Sequence, residues 1–237
     1  MIFKKNHFFS GTIFDQILIE GTPFIQCKYC SIIYEQEHHA VRRNQCSICT
    51  TIKQYENLTA LAIKKIDNNF YVFSQHPTEG CKHIRKLLID FSVKDNHLIP
   101  LAFIEVLEYG HRYDDVYING RKLLRIINNT KKLRYAIGLL KPIIYVTQFE
   151  YYTPSDYEFI ERTIKQLEDD FKVIKKITMY KGKKRALMLH KHFYKKSPYY
   201  PFLNILDELM ELFSEYGSDT PISLLNDVLR KAGIKNQ

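Results

Sequence analysis

Apolar positions fall into short runs near the N-terminus and into longer periodic stretches beyond it. Ile13-Phe14 and Ile17 to Ile19 are short apolar stretches before a Gly21-Thr22-Pro23 turn. Phe24-Ile25 and Ile32-Ile33-Tyr34 predict strands on either side of a tight turn. Over residues 50–66, Tyr55, Leu58, Leu61 and Ala62 recur at three- and four-residue steps, which predicts a helix. Phe70 to Phe73 predicts a strand and residues 74–81, with Pro77 and Gly80, a loop. Residues 82–91 predict a second helix, with Ile84, Leu87, Leu88 and Phe91 on one side. Residues 99–107 predict an apolar strand. Asn119-Gly120 stands between Val116-Tyr117-Ile118 and the run Leu123 to Ile127. That arrangement predicts a hairpin, because a type I′ turn needs positive φ at both central residues.

Further on, residues 143–149 predict a strand. Ser155 and Glu158 form a capping box ahead of a helix, and Tyr157, Ile160, Ile164, Leu167 and Phe171 share one face as a core stripe. Residues 173–180 and 186–190 predict two strands around Lys181-Gly182-Lys183. Residues 202–216 predict an amphipathic helix with Ile205, Leu206, Leu209, Phe213 and Tyr216 inward, ended by Gly217. Thr220-Pro221 opens a last helix and Gly233 closes it. The expected class is α+β: an N-terminal four-cysteine zinc ribbon, a mixed, mostly antiparallel sheet with flanking helices, and a helical C-terminus. The expected division is 1–66 for the ribbon, 67–196 for the core with its basic hairpin, and 197–237 for the helical segment.

The strongest chemical signal is Cys27-Lys28-Tyr29-Cys30 followed by Cys46-Ser47-Ile48-Cys49. Each Cys-x-x-Cys turn aims two sulfurs at one point, and the segment between them is long enough to go out and return. Cys27, Cys30, Cys46 and Cys49 together supply the four soft ligands of a structural Zn²⁺ site, which leaves no open position for catalysis. Disulfides suit small secreted domains, and the N-terminus lacks the apolar core of a signal peptide. An intracellular, thiol-reducing location is therefore expected. Cys81 is expected to be a buried structural thiol.

Charge sharpens the choice of partner. The 237 residues carry 35 Lys and Arg against 26 Asp and Glu, a net charge of +9, which points to a polyanion. Nucleic acid is expected first and an acidic membrane surface second, with DNA favoured over RNA; no apolar run reaches the length of a membrane span. Residues 172–196 hold ten Lys or Arg and no acid. Within them Lys176, Tyr180, Lys181, Lys183, Lys184, Arg185, Lys195 and Lys196 are the candidate contacts, with aromatic rings interleaved to stack on bases. Lys131, Lys132 and Arg134 form a second cluster. Arg42 and Arg43 mark the polar tip between the cysteine pairs.

The cysteine pairs come first, then a helix with His83 and Lys86, a strand with Glu105, and Arg112-Tyr113-Asp114 before a hairpin. This order resembles the competence-protein (CoiA-like) branch of restriction-endonuclease-fold nucleases over about residues 25–130. The resemblance implies Asp114 as a metal-binding acid, Glu105 as a helper, and Mg²⁺ as the ion if the chain is a nuclease. In that family the second hairpin strand carries an acid followed two residues later by Lys or Gln. Arg125 and Ile127 stand at those positions here, which implies a degraded catalytic motif. From the residues alone, Asp114 and Asp115 are turn residues.

Three functions follow in order. The first is a zinc protein that binds nucleic acid as an accessory factor in transcription, replication or recombination. The second is a metal-dependent nuclease of a virus, mobile element or restriction or competence system. The third is a protein-interaction subunit of a larger assembly.

Overall fold

A hairpin opens the fold. β1 (Phe14–Ile19) and β2 (Thr22–Cys27) pair antiparallel, from Phe14 opposite Cys27 to Ile19 opposite Thr22. Gly21 makes the turn at φ +79°, which a residue with a Cβ rarely adopts. β3 (Ile33–Tyr34) pairs antiparallel with β2 and parallel with β4 (Tyr71–Lys82). β5 (Lys86–Lys94) and β6 (Pro100–Leu107) pair antiparallel with Phe91 opposite Ile104. With β7 (Ile143–Thr147) they make a mixed, mostly antiparallel sheet of seven strands in the order β1-β2-β3-β4-β5-β6-β7. The computed structural model of the protein describes residues 14–19, 21–34, 46, 54–82, 86–97, 99–107, 118, 120–147 and 155–235.

Among those residues the helices are α1 (Gln54–Ile66), α2 (Gly120–Gly138), α3 (Asp156–Thr178), α4 (Gly182–Leu189), α5 (Leu206–Tyr216) and α6 (Ile222–Lys231). A single π-helical turn, His190–Tyr194, follows α4, and a 3₁₀ turn, Tyr200–Ile205, leads into α5. The α+β class and the helical C-terminus are as expected.

The chain divides into two compact units. The first comprises Met1–His76, Ile89–Val106 and Val146–Lys172, the second Pro77–Leu88, Leu107–Tyr145 and Val173–Gln237. In the first, α1 buries Ala62 and Ile63, and its Tyr55 ring meets Phe159 at 5.0 Å. Phe70 and Phe171 pack edge to face at 5.4 Å. In the second, Leu123 and Ile127 of α2 share a core with Phe202, Leu206, Leu209 and Leu225. Each such buried side chain contributes roughly 1.5–3 kcal/mol through removal from water.

Several sequence expectations are corrected. The hairpin at Asn119-Gly120 does not form, because α2 runs from Gly120 through Gly138. Leu123, Ile126, Ile127 and Thr130 are buried at helical spacing, and a stripe carried over 19 residues outweighs one turn-forming dipeptide. The two strands over 173–180 and 186–190 are helical instead. The buried line Phe159, Thr163, Leu167, Ile174 and Ile177 carries α3 on through Thr178, and residues 179–181 separate it from α4, which begins on Gly182 at φ +52°. The basic segment is thus a helix–helix connection, not a hairpin. The loop at 74–81 is strand β4, and the helix over 82–91 gives way to β5. There Ile89, Phe91 and Val93 are sealed at a two-residue period. Tyr157, expected inside, is 65% exposed, because the buried face of α3 is centred on Phe159. Tyr216 likewise points to solvent.

Candidate metal centre and basic face

β2 ends on Cys27 and the chain reverses at once. The Ser31 amide donates to the Cys27 carbonyl at 2.9 Å, and the Cys27 amide donates to the Ile32 carbonyl at 3.0 Å. Ser31 takes φ +55°, and its carbonyl accepts the Gln26 side-chain amide at 3.0 Å. This knuckle brings Cys27 and Cys30 to Cys46, so that all three sulfurs lie within 4.8 Å of one another. Cys30 Sγ and Cys46 Sγ are 3.5 Å apart, and all three are free thiols. That separation is far beyond an S–S bond. It is close to the roughly 3.8 Å edge of a tetrahedron built with zinc–sulfur bonds of about 2.3 Å.

The surroundings suit a soft cation. Cys27 and Cys46 are sealed from solvent, Cys30 is half-buried, and Tyr34 Oη lies 3.1 Å from Cys46 Sγ. Lys64 of α1 reaches past the knuckle, and its ammonium donates to the Phe70 carbonyl at 2.6 Å. Burial pushes the Lys64 ammonium below its ordinary range, while Cys30 and Asp67 act in the opposite direction. Three convergent thiols fit Zn²⁺ as a structural ion. Cys49, the expected fourth ligand, lies outside the described residues. So do Arg42, Arg43 and Asp114.

The basic segment is brought together on the second unit. Lys176 near the end of α3, Lys181 at the turn, and Lys183 and Lys184 on α4 are exposed, as are Lys195 and Lys196 beyond the π turn. Arg185 is half-buried, and Lys184 Nζ stands 4.4 Å over the ring of Tyr180. Among the described residues, no ion pair involves a cation between Lys175 and Lys196. The interleaved rings behave differently from expectation. Phe193, Tyr194 and Tyr199 are core residues, so they are not free to stack on bases. Burial pushes the Tyr194 phenol well above its ordinary range, which keeps it neutral. The second expected cluster is partly neutralised. Arg134 grips Asp207 through both guanidinium nitrogens at 3.0 and 3.3 Å, and the bond from Arg134 holds that carboxyl below its usual range.

Glu105 is 3% exposed on β6. One step beyond the Phe91–Ile104 pair it faces Asp90 of β5, which the sequence reading missed. The Asp90 amide donates to Glu105 Oε1 at 3.2 Å, and the Val106 amide donates to Asp90 Oδ2 at 2.8 Å. The two carboxylates thus each accept from a main-chain amide of the strand pair. The available signal was an acid interrupting each of two apolar runs, Leu87-Leu88-Ile89-Asp90-Phe91 and Phe103-Ile104-Glu105-Val106. Arg125 and Ile127 lie on helix α2, so they do not occupy a hairpin strand. The contact of Tyr34 with Cys46 was also missed, because the two lie on separate segments that only the fold brings together.

No protein-family model, curated protein or solved structure matches the chain. No helix among the described residues is long and apolar enough to cross a membrane.

Proposed function

We propose that the chain is a zinc-binding protein that binds nucleic acid, DNA in preference to RNA, as an accessory factor in transcription, replication or recombination. One observation carries this reading. Lys176, Lys181, Lys183, Lys184, Lys191, Lys195 and Lys196 are all exposed along a stretch that holds no acid, and among the described residues none of them is ion-paired. Unpaired like charges held together repel one another, and a phosphate backbone relieves that repulsion while releasing its own counterions. The cysteine cluster supports a structural role for zinc in the first unit. The preference for DNA rests on the resemblance to competence-type nucleases. Competition between duplex DNA and RNA of one sequence for the zinc-loaded protein tests it. Equal displacement by both would remove the DNA preference, and no binding of either would remove the reading.

A second reading, a metal-dependent nuclease, is favoured by the facing acids Asp90 and Glu105. Paired carboxylates on adjacent strands are hard oxygen donors of the kind Mg²⁺ takes, and bound Mg²⁺ would polarise a phosphate and activate water. The position two residues after Glu105 is Leu107 rather than Lys or Gln, so a cationic partner would have to come from elsewhere. Cleavage of labelled DNA with Mg²⁺, abolished in Asp90→Asn and Glu105→Gln, is the outcome this reading requires. Cleavage that survives both changes would exclude this pair as the active site.

A further inference from the structure

His190–Tyr194 is one turn of π-helix, closed by the Lys195 amide donating to the His190 carbonyl at 2.9 Å. The wide turn inserts a residue and re-aims the side chains around it, and such turns recur at functional sites. Three of its side chains are tied down. Phe193 and Tyr194 are buried, the Tyr194 hydroxyl donates to the Lys141 carbonyl at 3.0 Å, and His190 Nε2 lies 2.7 Å from Tyr200 Oη. The rest of the turn faces outward. Lys191 is exposed and His192 half-buried, with Lys195 and Lys196 exposed just beyond.

The charged groups acting on His192 are Lys196 and Lys191 from its own segment and Lys176 from α3, and no carboxylate is among them. Lys191 adjoins His192 within the turn and Lys196 follows four residues on, so the turn presents a half-buried imidazole beside exposed cations, with Lys176 of α3 acting on it from a second element. We propose that Lys176, Lys191, His192 and Lys196 form a phosphodiester-binding site, in which His192 takes up a proton and donates a ring N–H to a backbone phosphate oxygen. This inference rests on the nucleic-acid reading and names the groups that grip the backbone.

The proton follows from the electrostatics. Burial first, and then Lys196, Lys191 and Lys176, push the imidazole below its ordinary value, so His192 is neutral in the free protein near neutral pH. A bound phosphate offsets the three cations and gives an imidazolium its partner, which raises the value again. Binding then takes up a proton. Affinity rises as pH falls through the window between the bound and free values, and it levels off on either side.

Fluorescence anisotropy of labelled duplex DNA with the full zinc-loaded chain, at fixed ionic strength across about pH 8 to pH 5.5, tests this. For the wild type, affinity should rise about threefold to tenfold as pH falls, tenfold corresponding to one pKa unit of differential interaction. His192→Gln should bind several-fold more weakly at the acid end and lose most of that slope. His192→Lys should bind at all pH values without it. Circular dichroism of both variants checks the fold. DNA binding with an unaltered pH profile in folded His192→Gln overturns the site while leaving the nucleic-acid reading in place. No DNA binding by the wild type at any pH overturns both.

Discussion

The hydroxyl of Tyr34 lies 3.1 Å from the sulfur of Cys46, and both side chains are sealed from solvent. Against a thiolate the phenol donates, drawing off negative charge and fixing the direction of the sulfur. Groups of this kind around a metal site typically carry a tenfold or greater share of its affinity. Tyr34→Phe should therefore weaken zinc binding by about tenfold in competition with a chromophoric chelator. Unchanged affinity would reduce the contact to packing.

The cysteine cluster makes a broader demand. Purified protein should carry about one zinc per chain, and Cys46→Ser should lose it. Because the knuckle joins β2 to β3, removing the ion should also lower the melting temperature. A melt with and without a strong chelator reads this. Coincident curves would contradict a structural role.

Asp90 and Glu105 hold backbone amides whether or not they ever hold a metal. Asp90→Ala leaves the Val106 amide without that partner and should cost about 1–3 kcal/mol in urea unfolding, whereas Asp90→Asn, which keeps an acceptor, should cost less. The isosteric change is thus the proper probe of catalysis. Equal costs for the two variants would show that the hydrogen bond carries no stability.

At the start of α3 the Glu158 amide donates to Ser155 Oγ at 3.2 Å while the Ser155 amide donates to Glu158 Oε2 at 3.0 Å. This reciprocal cap predicts a loss of about 1 kcal/mol in Ser155→Ala. Loss of less than a few tenths would mean that packing of α3 alone sets its start.

That cap, the cysteine knuckle at Cys27 to Cys30 and α1 were legible in the sequence because each rests on short-range chemistry: a box of four residues, a Cys-x-x-Cys turn, a three-and-four apolar repeat. The strands of the basic segment were misread for the opposite reason. Val173 to Tyr180 is rich in β-branched residues, yet Ile174 and Ile177 continue a buried line begun 15 residues earlier at Phe159. Asn119-Gly120 misled in the same way, as a strong local signal overruled by the stripe that follows it. Leu87 to Phe91 fits both a helical and a two-residue period, and only pairing with β6 decides between them. The facing of Asp90 with Glu105 depends on strand pairing, which spacing alone does not encode.

The most direct test of the account is duplex DNA binding by zinc-loaded protein across a salt series, alongside the triple charge reversal Lys183→Glu, Lys184→Glu, Arg185→Glu. The account predicts that log affinity falls linearly with log salt, with a slope of about −0.9 per phosphate contacted. The reversed protein should bind more weakly to every sequence and with a shallower slope. Identical binding by the two proteins, or affinity indifferent to salt, would contradict a nucleic-acid role for this face.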